Sequence, residues 1–170
     1  MPIDYSAVIE EFMKYELDPA RLKESNIYGK LLMVRENMDL SSTARAKAAD
    51  GFVAGAIAVI ATKAGTCKYW ERKLKEEVKH LRIGKRIHYK TVLPDGIARM
   101  SKQYNDWLDE QVSADAEVIE CEKKQALAES SRAYWEFLLE ALKEMGKRID
   151  SAGMLTAVEE KRNPPVGLGS

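Results

Sequence analysis

Six of the eleven residues in HLRIGKRIHYK, residues 80–90, are Lys, Arg or His, and one tyrosine sits among them. Cations at this density neutralise phosphates and release their counterions. An aromatic ring among them stacks on an unpaired base, an interaction worth roughly 1–3 kcal/mol. The side chains that fit such a role are Lys79, Arg82, Lys85, Arg86, His88, Tyr89 and Lys90. The same charges also fit a solvated helix face, or ion pairs with acidic residues elsewhere in the assembly.

No other constellation points to a reaction. His80 and His88 are eight residues apart, with no HExxH spacing and no third ligand. Cys67 precedes Lys68, which would favour a thiolate, but no partner base is identifiable. There is no GxxxxGK[ST] loop and no GxGxxG turn. The Glu-rich stretch 117–144 lacks the Glu-x-x-His pairs of a carboxylate di-metal bundle, because no histidine follows His88. The expectation is a protein that is not an enzyme, with no catalytic residue, metal or cofactor.

The 27 basic and 27 acidic residues cancel in total but not locally. Residues 63–90 hold ten Lys or Arg against Glu71, Glu76 and Glu77. Residues 104–144 hold eleven Asp or Glu against Lys123, Lys124, Arg132 and Lys143. One basic and one acidic segment are therefore concealed in a neutral chain. At 170 residues, rich in Ala, Glu, Lys, Leu and Arg, the chain suggests one helical domain over 1–160 and a flexible tail over 161–170. Two cysteines without CxxC spacing suggest a reducing cytoplasm. The opening MPIDYSAVIEEF has no apolar signal region.

Apolar spacing predicts helices over 3–16 and from Asp18-Pro19 to about Asp39. A third opens at Ser41 or Ser42, with an interruption near Gly65 and Thr66. The stretch 68–83 places Trp70, Leu74, Val78 and Leu81 on one side. Residues 84–98, with Pro94-Asp95-Gly96, read as a loop or small β-hairpin. Helix resumes over 99–110. Ser113 then caps a long amphipathic helix to about Ile149, with Leu127, Tyr134, Leu138, Ala141, Met145 and Ile149 as its stripe. A short helix follows Gly153. The run GFVAGAIAVIA, 51–61, is shorter than the roughly 20 residues that span a bilayer. It reads as a core helix, and a membrane-associated protein is the third-ranked reading. Gly51 and Gly55, four apart, permit close helix approach within or between subunits. The fold class is mostly α: a helical bundle with a long C-terminal amphipathic helix, assembling as a homo-oligomer. The expected oligomer contacts are Gly51, Gly55, Tyr134, Trp135, Leu138, Leu139, Met145 and Ile149.

SADAEV at 113–118, YWEFLL at 134–139, and Ile149, Ser151 and Gly153 together resemble the closing region of the phage recombination mediator UvsY family. ELDPARLKESNIYGKLL more loosely resembles that family's opening helices. Lys85, Arg86 and Tyr89 are similar to its basic residues followed by an aromatic pair, although Lys90 stands in the second aromatic place. The resemblance implies a phage-encoded, ring-forming protein in the host cytoplasm. Such a protein binds single-stranded DNA and helps a recombinase replace the single-strand-binding protein. The alternative is a helical structural or adaptor protein whose basic and acidic segments pair between subunits.

Overall fold

The computed structural model describes residues 4–14, 27–92 and 101–162. Five helices are found among them: α1 (Tyr5–Lys14), α2 (Ile27–Glu36), α3 (Thr43–Thr91), α4 (Lys102–Ala114) and α5 (Ala116–Arg162). The mostly α fold is as expected, and no strand occurs among the described residues. The Asp18-Pro19 helix start, the Pro94-Asp95-Gly96 turn and the tail from residue 163 lie outside them.

Side-chain caps account for the starts of α1, α3 and α4. Asp4 Oδ1 accepts from the backbone N–H of Ser6 and of Ala7, both at 3.1 Å, so it caps α1. At α3, Ser42 Oγ accepts from the Arg45 N–H at 3.3 Å, and its carbonyl accepts from the Ala46 N–H at 2.9 Å. Ser42 rather than Ser41 is thus the cap. Ser101 Oγ accepts from the Tyr104 N–H at 3.0 Å and opens α4.

The chain divides into two compact units, Met1–Gly65 with Ser131–Ser170, and Thr66–Ser130. In the first, α1 and α2 pack with the opening part of α3 and the closing part of α5. Its core includes Phe12, Ile27, Leu31, Phe52, Val53, Ile60, Trp135, Leu138 and Leu142. Tyr5 stacks on Phe52 with ring centroids 5.0 Å apart. The two long helices run antiparallel here. Thr43 donates to Glu160 through its N–H at 3.0 Å and its hydroxyl at 2.5 Å. A Cβ on Gly153 would lie 3.5 Å from Ala46, and one on Gly146 would lie 3.5 Å from Val53. Small residues on α5 therefore set how closely α3 approaches.

Several expectations are corrected. Gly65 and Thr66 do not interrupt α3, which is continuous to Thr91. The part of the expected loop or hairpin from Gly84 to Thr91 is helix. Gly153 lies inside α5, so no separate short helix follows it. The stripe of α5 has a different phase in its first half: Leu127 is exposed, whereas Val118, Cys121, Trp135 and Leu142 are buried. One stretch of α3 is long and apolar enough, by length and composition alone, to cross a membrane. Within it, Phe52, Val53, Ala56 and Ile60 are buried in the first unit's own core.

The two glycines of the apolar run differ. A Cβ on Gly55 would sit 2.8 Å from Ile9 Cδ1 of α1, whereas one on Gly51 would meet nothing within 4 Å. Gly55→Leu is expected to destabilise the protein by about 1–3 kcal/mol through overpacking against α1. Gly51→Ala is expected to stabilise it by about 0.5–1 kcal/mol by removing helix-interior glycine. Urea unfolding followed by circular dichroism measures both, and an unchanged midpoint for Gly55→Leu sinks the close-approach account.

Candidate nucleic-acid interface

The second unit holds every residue of the predicted basic contact set. Its α3 segment directs Cys67, Glu71, Leu74, Val78, Leu81, Lys85 and Tyr89 along one side, at steps of three and four residues. The apolar part of this stripe includes buried Cys67 and Val78; α4 contributes buried Tyr104, Leu108 and Val112, and α5 contributes Val118 and Cys121. In the last two turns of α3 the inward positions become polar. There the partner must be charged, and Asp115 supplies the charge.

Asp115 is the single non-helical residue between α4 and α5. Its Oδ1 accepts from the Glu117 N–H at 3.0 Å, so Asp115, not Ser113, caps α5. Ser113 lies within α4. The other carboxylate oxygen accepts from Tyr89 Oη at 3.0 Å and lies 3.2 Å from Lys85 Nζ. Lys85 also pairs with Glu117 at 2.6 Å. The Asp115 side chain is 10% exposed and that of Lys85 is 23% exposed. Burial by itself would push the Asp115 carboxyl up. The hydrogen bonds from Tyr89, Lys85 and the Glu117 N–H outweigh it and hold the group below the ordinary aspartate value. Hydrogen bonds to Glu117 and then Asp115 raise the Lys85 ammonium, and the bond to Asp115 raises the Tyr89 phenol.

Two further arginines bridge the helices nearer to solvent. Arg82 gives Glu122 two hydrogen bonds, at 2.8 Å from Nε and 2.5 Å from Nη2. Arg86 pairs with Asp109 and reaches Asn105 Oδ1 at 3.4 Å. Both pairs are well exposed, and pairs of this kind contribute about 0.2–1 kcal/mol.

The seven predicted contact residues therefore separate by environment. Lys85 and Tyr89 are tied to Asp115 on the inward side. Arg82 and Arg86 sit in solvent-facing pairs. Lys79, His88 and Lys90 are exposed, and none of the three has an ion pair among the described residues. His88 meets only the edge of Tyr89, at 5.4 Å between centroids. Sequence reasoning missed Asp115 as the partner of Lys85 and Tyr89. The available signal was the four-residue step that puts those two side chains on one face. Trp70, which spacing put on one side with Leu74, Val78 and Leu81, is 44% exposed, and Tyr69 is 63% exposed. Lys73 stands 4.8 Å over the Trp70 ring.

The predicted oligomer contacts lie in the first unit. Trp135, Leu138, Met145 and Ile149 are buried within the chain's own core, Tyr134, Leu139 and Gly55 are half-buried, and Gly51 is exposed. Lys63 Nζ lies 5.5 Å from the centroid of the Trp135 ring. Among the described residues, no three metal-ligating side chains come together. Cys67 and Cys121 are buried and not disulfide-bonded, and burial pushes the Cys121 thiol up.

No family model matches the chain, and no curated protein or solved structure matches it.

The Asp115 cluster predicts a pH dependence. A carboxyl held below its unfolded value adds stability above the ordinary aspartate range. That contribution is lost as pH falls through the depressed folded value. Asp115→Asn keeps a helix cap but removes the charge. Its melting temperature is expected to fall below wild type at pH 7, with the gap narrowing as pH falls from about 5 through the depressed folded value. Melting curves that stay parallel over that range would remove Asp115 as the source.

Proposed function

We propose that this chain is a non-enzymatic, single-stranded-DNA-binding recombination mediator. It acts as a homo-oligomer in the cytoplasm of a phage host and helps load a recombinase onto DNA coated by single-strand-binding protein. The observation that carries the DNA-binding part is the set of exposed α3 cations without an ion pair among the described residues, Lys79 and Lys90 foremost, beside pairs weak enough for phosphates to displace. The mediator role rests on the resemblance of 113–118, 134–139 and 149–153 to the UvsY family. Exposed apolar side chains on α5, namely Phe137, Met154, Leu155 and Val158, favour self-association. A ring would present several weak basic faces together, and such multivalency raises avidity without new contacts.

The second reading is a helical adaptor. The bridges from Arg82, Lys85 and Arg86 to Glu122, Asp115, Glu117 and Asp109 favour it, because they spend basic charge on acidic charge. These bridges lie within one chain, whereas the adaptor reading needs them between subunits.

Fluorescence anisotropy of a labelled single-stranded oligonucleotide, titrated at low and moderate salt with the duplex as comparison, separates the readings. Under the mediator reading the single strand binds more tightly. Its affinity falls with salt at a log–log slope of about −0.7 per phosphate contacted. Absence of binding at low salt would leave the adaptor.

A further inference from the structure

The cations of α3 extend well beyond the segment that first drew attention to it. Lys68, Arg72, Lys75, Lys79, Arg86 and Lys90 follow one another at steps of four, three, four, seven and four residues. Such steps keep side chains on one face of a helix. All but Arg86 are exposed, and Arg86 is half-buried in its bridge to Asp109. Lys68, Arg72, Lys75, Lys79 and Lys90 make no ion pair among the described residues. Arg82 stands on the inner edge of the same row, bridged to Glu122. From Lys68 to Lys90 the row rises about 33 Å along one continuous helix.

A row of exposed apolar side chains accompanies the cations on one side. Tyr69 lies one turn before Arg72, Ile83 lies between Lys79 and Arg86, and Ile87 lies one turn before Lys90. They are 63%, 50% and 61% exposed. Glu76 is the acid that interrupts this flank. A helix that faced only water would have no reason to keep Tyr69, Ile83 and Ile87 uncovered beside an unneutralised line of charge.

From this arrangement we infer that the α3 face from Lys68 to Lys90 is a straight track for the sugar-phosphate backbone of a single nucleic-acid strand, with Tyr69, Ile83 and Ile87 meeting its bases. A single strand straightens to follow a linear row of cations. One strand of a duplex winds about its axis and leaves such a row after a few phosphates, and its bases are paired and stacked out of reach of side-chain rings. Lys85 and Tyr89 hold the helix end through Asp115 and do not belong to the track. The inference rests on the single-strand reading above and moves its contact surface toward Lys68.

The test compares two variants of equal charge change. The track variant carries Lys68→Gln, Arg72→Gln, Lys75→Gln and Lys79→Gln. The control carries Lys123→Gln, Lys124→Gln, Lys143→Gln and Lys147→Gln, all exposed positions of α5. Affinity for a labelled oligothymidine is measured across a salt series, with circular dichroism confirming helix content. The track variant is expected to lose at least about tenfold in affinity at low salt and to flatten the log–log salt slope by about three. The control keeps the wild-type slope and stays within about twofold of wild-type affinity, since non-contacted charges release no counterions. If the wild type binds and the track variant keeps its affinity and slope, the track is wrong while the single-strand reading stands. If the wild type itself fails to bind at low salt, both fall. Equal or tighter binding of a duplex overturns the single-strand assignment. Amine-reactive labelling of the wild type provides a check independent of variant folding. Oligothymidine is expected to protect Lys68, Lys75, Lys79 and Lys90 and to leave Lys123 and Lys143 reactive. The reverse pattern overturns the track.

Discussion

Each unit of this protein depends on the inward stripe of α3, a row of side chains at steps of three and four residues that must be kept from water. In the first unit Ala49, Val53, Ala56 and Ile60 occupy that row, and the packing around them is close because small residues face each other. Gly146 and Gly153 allow α5 to approach Val53 and Ala46, and Gly55 leaves room for Ile9. In the second unit the row carries on through Val78 and Leu81 and then turns polar at Lys85 and Tyr89. A polar group on a buried row is tolerated only when its bonds are satisfied. Asp115, by taking bonds from both, allows α3 to remain packed to its last turns while starting α5 in the same place.

That arrangement divides one basic segment by depth. Lys85 is coupled to a carboxylate that is nearly out of solvent, so removing Lys85 leaves that charge with only the Tyr89 hydroxyl and the Glu117 N–H, whereas removing Asp115 leaves Lys85 its pair with Glu117. Arg82 and Arg86 form pairs in water, where attraction is screened and side-chain entropy opposes it. Among the described residues, Lys68, Arg72, Lys75, Lys79 and Lys90 face water without a protein anion. Sequence proximity therefore groups residues whose physical roles differ, and the acidic segment neutralises only the part of the basic segment that points toward it.

Much of this was legible in the residues. Helical periodicity gave the helical class, Ser42 is one of the two cap candidates for α3, and the charge asymmetry pointed to the second unit, whereas the expectation of helix from 99 hides the Ser101 cap. What was misread shares a cause. Residues 84–91 carry a glycine followed by two cations, β-branched residues and a tyrosine, and local preference there favours a loop. The helix persists because Arg82, Lys85, Arg86 and Tyr89 find partners 19–40 positions away, and no local rule counts those partners. Gly65 and Gly153 were read as interruptions from residue type. Yet Gly65 meets open space and Gly153 faces Ala46 inside a continuous helix. The phase of α5 slipped because Leu127 and Tyr134 also sit at heptad spacing. Trp135 and Leu142 won the core because α3 approaches that side.

The separation of charge by depth bears on how one surface could serve both folding and the proposed binding. If every cation of α3 were needed to hold the helices, a polyanion would destabilise the protein as it bound. If none were, the inward row would end in unmatched polar groups. Instead the partly buried Lys85–Asp115–Tyr89 cluster fixes the helix end, and the outward cations stay available at little structural cost. The solvent-facing Arg82–Glu122 and Arg86–Asp109 pairs lie between these extremes: each is weak enough that a phosphate could replace the carboxylate without loosening the core. Under the proposed binding, only Arg82 and Arg86 would meet a strand already held by protein partners, whereas Lys68, Arg72, Lys75, Lys79 and Lys90 would lose side-chain entropy as they engaged it.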